Sequence, residues 1–151
     1  MAEPPPFREG ILLQAFAVQQ LSGDLLRDAL GDTMAPSRFA FQSVLGVRGP
    51  QTPSELASAL GMAPTTVSSW IGRLEREGAL TRTPNAEDGR SVIVELTPLG
   101  HEQLAEAMPH FRRAYLALHD ALGDDADAVW EGQALLIEAL RTALVSSTPS
   151  Q

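Results

Sequence analysis

Thr52-Pro53-Ser54-Glu55-Leu56-Ala57-Ser58-Ala59-Leu60-Gly61-Met62-Ala63-Pro64-Thr65-Thr66-Val67-Ser68-Ser69-Trp70-Ile71-Gly72-Arg73-Leu74-Glu75-Arg76-Glu77-Gly78 decides how this chain of 151 residues folds. Thr52 and Glu55 stand three apart with Pro53 between them, the pattern of a capping box. The threonine hydroxyl accepts from the Glu55 amide while Glu55 reaches back, and Pro53 takes the first helical position. A two-turn helix through Leu56 and Leu60 follows, and Gly61 suits the left-handed residue that ends it. After a short connection, Pro64 opens a second helix that runs to Glu77, with Gly78 just beyond. Two short helices joined by a tight turn containing glycine form a helix-turn-helix.

Downstream the period changes from helical to alternating. Leu80-Thr81-Arg82-Thr83 is one short strand, and Ser91-Val92-Ile93-Val94-Glu95-Leu96 is another that places Val92, Val94 and Leu96 on one face. The seven residues between them, Pro84-Asn85-Ala86-Glu87-Asp88-Gly89-Arg90, are turn formers. A helix-turn-helix followed at once by a hairpin is a winged helix. The expected fold is therefore mainly α with a small β-hairpin wing, flanked by helices on both sides.

Those flanks are amphipathic. Upstream, Leu12, Phe16, Gln19, Leu26 and Leu30 make one stripe of a helix from Glu9 to about Leu30, which Gly31-Asp32 stops. Pro36-Ser37 opens a shorter helix carrying Phe39, Ala40, Val44 and Leu45, with Gly46 and Gly49-Pro50 expected to break it. On the other side, Thr97-Pro98 caps a helix to about Leu122. Leu104, Met108, Phe111, Tyr115, Leu118 and Leu122 recur along it at the spacings of a coiled-coil seam. Pro109 interrupts that seam and is expected to kink the helix near Met108. A last helix begins at Gly123-Asp124-Asp125, with Val129, Gln133, Leu136, Leu140 and Leu144 as its stripe. The organisation expected is a flexible arm at 1–8, an N-terminal dimerisation helix at 9–35, and a winged helix-turn-helix at 36–98. C-terminal dimerisation helices at 99–145 and a flexible tail at 146–151 complete it.

Composition narrows the function. No apolar run is long enough to span a bilayer, and Met1-Ala2-Glu3-Pro4-Pro5-Pro6 lacks the basic start and apolar stretch of a secretory signal. Cysteine is absent, which removes disulfides, cysteine-ligated zinc and thiol chemistry together. A cytoplasmic setting is expected. The net charge is −8, and all 11 basic residues are arginines. Residues 1–50 carry −1, 51–100 carry −2 and 101–151 carry −5, so the acidity concentrates in the C-terminal helices.

Within the 64–77 helix, Val67, Trp70, Ile71 and Leu74 cluster on one side at 100° per residue. Thr65, Ser69, Gly72 and Arg76 lie opposite, flanked by Thr66, Ser68 and Arg73. Small hydroxyls and arginines on a helix with an apolar back suit a DNA major groove, where arginine bonds guanine in bidentate fashion. Ala63 caps poorly, so the free amides behind Pro64 are available to a phosphate. Arg90, at the wing tip, has the reach of a minor-groove arginine, with Asp88 expected to hold its guanidinium.

The run from Thr52 to Gly61, Thr65-Thr66-Val67-Ser68, Gly72-Arg73-Leu74-Glu75-Arg76-Glu77-Gly78, Glu87-Asp88-Gly89-Arg90 and Leu96-Thr97-Pro98-Leu99-Gly100 resembles the MarR family of transcriptional regulators. That resemblance implies a homodimer whose terminal helices intertwine and whose two winged helices grip double-stranded DNA at a palindromic operator. It implies a repressor, relieved by a small aromatic or phenolic effector. Carried onto this chain, the DNA contacts fall on Pro64, Thr65, Thr66, Ser68, Ser69, Arg73 and Arg76 of the helix and on Arg90 with Asp88 of the wing. Arg73, Arg76, Arg82 and Arg90 from two copies neutralise at most about eight phosphates, so the salt slope is no steeper than roughly −7. The alternative reading is a winged-helix module whose acidic surface binds protein and not DNA.

Other constellations carry less. His101, His110 and His119 are nine apart, so successive rings point to opposite sides of one helix and assemble no metal site on it. Asp124, Asp125 and Asp127 lack the glycine and distal glutamate of a calcium loop. No nucleophile–base pair and no phosphate-cradling glycine loop occurs, so neither an enzyme nor a cofactor is expected. Trp70, Phe16, Phe39, Phe41 and Tyr115 are read as core or interface, with an effector pocket as the alternative, and Arg38 stands beside Phe39 where an anionic ligand would meet it.

Overall fold

The computed structural model describes residues 10–146. The arm at 1–8, Glu9 and the tail beyond Ser146 lie outside those residues. Helix α1 spans Ile11–Leu30, α2 Pro36–Arg48, α3 Pro53–Leu60 and α4 Pro64–Arg76. Strands β1, Leu80–Pro84, and β2, Val92–Leu96, follow; α5 covers Pro98–Leu122, a 3₁₀ turn Gly123–Asp125, and α6 Ala126–Ser146. The chain forms two compact units, one ending at Ala114 and one beginning at Tyr115.

In the first unit each boundary has a local cause. Thr52 caps α3 with the expected reciprocal bonds: its Oγ1 accepts from the Glu55 amide at 3.2 Å, and Glu55 Oε2 accepts from the Thr52 N–H at 2.7 Å. The same carboxylate also accepts from the Thr52 hydroxyl at 2.9 Å. Gly61 closes α3 at φ 61° and ψ 30°, a left-handed conformation that costs a side-chain-bearing residue about 1 kcal/mol or more. Thr97 opens α5, its hydroxyl accepting from the Gly100 N–H and donating to the Gly78 carbonyl at 2.6 Å.

One expectation about a helix breaker fails. Gly46 lies inside α2, which continues to Arg48. A Cβ at Gly46 would lie 2.6 Å from Leu104 Cδ2, so the missing side chain lets α5 approach α2 closely instead of ending the helix. Pro109 lies inside α5, which runs as one helix from Pro98 to Leu122.

The wing is an antiparallel hairpin in which Leu80 pairs with Leu96, Arg82 with Val94 and Pro84 with Val92. A third piece joins it: the Gln51 N–H donates to the Val94 carbonyl at 3.0 Å, and the Val94 N–H returns the bond at 2.8 Å. This bridge anchors the wing to the residue just ahead of α3. The core beneath joins α2, α3, α4 and the hairpin through Phe41, Leu56, Val67, Leu74 and Val94, all fully buried, and Leu104 and Ala107 of α5 belong to the same cluster. Each such side chain contributes about 1.5–3 kcal/mol. Gly100 sits where α5 presses on the α4–β1 connection; a Cβ there would lie 2.2 Å from the Ala79 carbonyl oxygen.

Candidate nucleic-acid interface

Helix α4 divides as its sequence dictates. Val67, Ile71 and Leu74 are buried and fix the rod against α2 and α3, while half-buried Trp70 stacks on Phe41 with ring centroids 6.3 Å apart. Pro64, Thr65, Thr66, Ser68, Ser69 and Arg76 are exposed on the other side. Nothing lies within 4 Å of a Cβ built at Gly72, so this face is open to a close partner. Ala63 supplies no side-chain cap, and Pro64 has no N–H. The amides of Thr65 and Thr66 therefore lead the helix without intrahelical acceptors, at the positive end of its dipole. An anionic backbone lying across this end meets hydrogen-bond donors and partial positive charge together.

The arginines sort into different environments. Arg90 is exposed at the wing, in the loop that ends where Asn85 and Ser91 pair. Asp88 does not grip its guanidinium as expected. Its Oδ1 accepts from the Arg90 backbone N–H at 3.1 Å, and its carbonyl accepts from the Ser91 N–H at 2.9 Å. A short carboxylate two residues before the amide closes an Asx turn more readily than it reaches a long side chain. Asp88 thus shapes the backbone that carries Arg90. Arg76 donates from Nε to the Gly72 carbonyl at 3.1 Å, which lays its side chain back along the helix.

Arg73 stands at the edge of the face, with its guanidinium 3.8 Å from the centre of the Trp70 ring. A planar cation over an aromatic face is held by the ring quadrupole. Arg82 is ion-paired: it makes a two-pronged contact with Glu75, one hydrogen bond running from Nε to Oε1 at 3.0 Å and a second joining Nη2 to Oε2. That hydrogen bond holds the Glu75 carboxyl below the usual carboxylate range and raises Arg82 in turn. The pair ties the recognition helix to the first strand of the wing. Glu55 is also held low, by the Thr52 backbone N–H first and the Thr52 hydroxyl second.

Behind the helix, a cleft of about 420 Å³ opens among the α1–α2 connection, α2, α4 and α5. Trp70, Arg73, Met34, Arg38, Glu77 and Gln103 help to line it. Arg38 donates to Glu77 Oε2 at 2.6 Å, to Gln103 Oε1 at 2.8 Å and to Gln42 Oε1 at 3.4 Å. Fully buried Gln42 donates to the same Gln103 oxygen at 3.3 Å. The sequence marks Arg38 through its neighbour Phe39, but nothing local reveals that Glu77 and Gln103, 39 and 65 positions away, meet it. Phe39 and Phe41 are buried in the core, whereas Phe16 and Tyr115 are exposed. Among the described residues no group of three or more His, Asp and Glu is placed to hold a metal ion.

A hydroxyl-lined helix with an apolar back, set beside an arginine-bearing hairpin, defines a DNA-binding winged helix-turn-helix protein. The family model described as MarR family matches residues 43–92. Over 114 residues the chain is 33% identical to the uncharacterised HTH-type transcriptional regulator YkoM of Bacillus subtilis, covering 75% of this chain and 74% of YkoM. Over 57 residues it is 39% identical to the transcriptional repressor MprA of Escherichia coli, covering 38% of this chain and 32% of MprA. The solved structure of a MarR mutant from E. coli complexed with operator DNA superposes with a TM-score of 0.72 at 26% identity, over 91% of this chain and 99% of that one. The chain belongs to the MarR family. It is a DNA-binding transcriptional regulator and not an enzyme.

Proposed function

We propose that this protein binds a palindromic operator as a homodimer and represses transcription of its own or neighbouring genes, and that a small aromatic or phenolic effector relieves the repression. One observation carries the reading: the exposed hydroxyl and arginine face of α4 stands beside a wing that carries exposed Arg90. Pro64, Thr65, Thr66, Ser68, Ser69, Arg73 and Arg76 form the major-groove set, and Arg90, on a loop shaped by Asp88, enters the neighbouring minor groove. The operator-bound MarR structure and the repressor MprA support this assignment.

Segments 9–35 and 99–145 supply the dimer body and 36–98 the DNA-binding region. Ile11, Leu12, Leu13 and Phe16 on α1 and Trp130, Leu135 and Ile137 on α6 are at least half exposed, an amount of apolar surface that calls for a protein partner. The cleft beside Trp70 and Arg38 has the volume for a small ligand, and we assign the effector to it. No helix among the described residues is long and apolar enough to cross a membrane, and we place the protein in the cytoplasm.

The experiment is a gel shift of a duplex from the gene's own upstream region, run over a series of salt concentrations. A shift that weakens as salt rises is expected. A module that binds protein alone produces no shift at any salt.

A further inference from the structure

We propose that the Arg38–Glu77 ion pair sets the DNA-reading position of the recognition helix, although neither residue belongs to the DNA-facing set. The proposal rests on the DNA-binding reading above and assigns positioning residues to it.

The geometry is that of a three-way tie. Glu77 is the residue that closes α4, Arg38 lies on α2 and Gln103 on α5. One guanidinium joins all three, by bonds of 2.6 Å to Glu77 and 2.8 Å to Gln103. Its orientation is set from below by Gln42, which is fully buried and bonds both Arg38 and Gln103. The Arg38 side chain is 22% exposed and that of Glu77 39%, so the pair is partly withdrawn from water and is screened less than a surface pair. The apolar contacts of Val67, Ile71 and Leu74 hold α4 down onto the core, although the burial that drives them is non-directional. A charged, directional bond to α2 and α5 at the C-terminal end, beside the Glu75–Arg82 tie to β1, adds a fixed point for the axial position and tilt of the helix. A reading helix needs its supporting contacts to hold it within about 0.5 Å of the productive position.

Electrostatics and positioning predict opposite signs for one substitution. Glu77→Gln removes a negative charge from the acidic chain near the DNA-reading helix. By charge alone that strengthens binding to any duplex. If the pair positions the helix, the same substitution weakens operator binding, by about 3- to 30-fold, and weakens binding to a mixed-sequence duplex less.

The test uses the full-length protein and a duplex selected by the wild-type protein from a random library. Affinities for that duplex and for a mixed-sequence one are compared for wild type, Glu77→Gln, Arg38→Gln and the exchanged pair Arg38→Glu/Glu77→Arg, each confirmed folded by circular dichroism at the assay temperature. The expected result is a selective loss of operator affinity in both single variants and its recovery in the exchanged pair. Glu77→Gln lies at a half-exposed helix end and decides the matter alone if the exchanged pair does not fold. Operator affinity that is unchanged or raised in Glu77→Gln, or a loss equal on both duplexes, overturns the proposal. If the wild type selects no duplex at all, the DNA-binding reading fails, and the positioning role falls with it.

Discussion

Arg90 and Arg82 are both wing arginines, yet their surroundings differ and so do their expected effects. Arg90 extends from an exposed loop, and Arg90→Ala is expected to weaken operator binding by about 1–3 kcal/mol, read by fluorescence anisotropy. Arg82 is held by Glu75, so its charge is already compensated, and Arg82→Ala is expected to leave the salt slope of DNA binding unchanged within error. A fall of the slope by about one on removing Arg82 would show that the pair opens on DNA. Gly100 makes a prediction about stability alone. The Ala79 carbonyl oxygen leaves no room for a methyl group, so Gly100→Ala forces α5 away from the base of the wing. A loss of about 1–3 kcal/mol is expected in urea unfolding, the usual effect of overpacking a tight site.

At the level of the element, α3 and the tie between α4 and β1 each carry a carboxylate whose pKa folding lowers. Glu55 and Glu75 are both held below the usual carboxylate range, by bonds from Thr52 and Arg82 respectively. A depressed carboxyl contributes stability that is fully present above its unfolded pKa and is lost as pH falls through its folded one. The urea midpoint is therefore expected to hold steady from pH 7 to about pH 5 and to drop below that. Glu75→Gln should flatten part of the drop. Thr52→Ala removes the cap at any pH and is expected to cost about 1 kcal/mol. The elements that bear these effects were legible in the sequence because their signals are local: the Thr52–Glu55 spacing, Gly61 after Leu60, Pro64 at a helix start, and the alternation in Val92–Leu96. Gly46 misleads for the complementary reason. Whether a glycine ends a helix depends on what packs there, and Leu104, which fills the space beside Gly46, lies 58 positions further on. The Gln51–Val94 bridge and the Arg38 network were hidden in the same way, since each joins residues that only the folded chain brings together. In the candidate interface, the faces of α4 followed from helical period alone, while the local partner of each arginine did not.

For the whole molecule the difficulty is a net charge of −8 on a protein that binds a polyanion. Its resolution lies in where the charge sits. Residues 101–151 carry −5 of the total, and fields from exposed charges fade within about 8 Å at physiological salt. Of four arginines near the interface, Arg82 is compensated by Glu75, whereas Trp70 is neutral and leaves the charge of Arg73 in place. Three remaining per chain give about six phosphate neutralisations in a dimer and a slope of log affinity against log salt near −5. A value steeper than about −7 would require cations outside the α4 and wing set. Recognition of this kind leans on shape and base contacts more than on bulk charge. The most direct measurement is the selection of duplexes from a random library by the purified protein, followed by sequencing. An inverted repeat with half-sites centred about 10 base pairs apart is expected, as two copies of one reading head on a two-fold axis require. Recovered duplexes with no shared sequence, or a shared element without two-fold symmetry, would contradict the account.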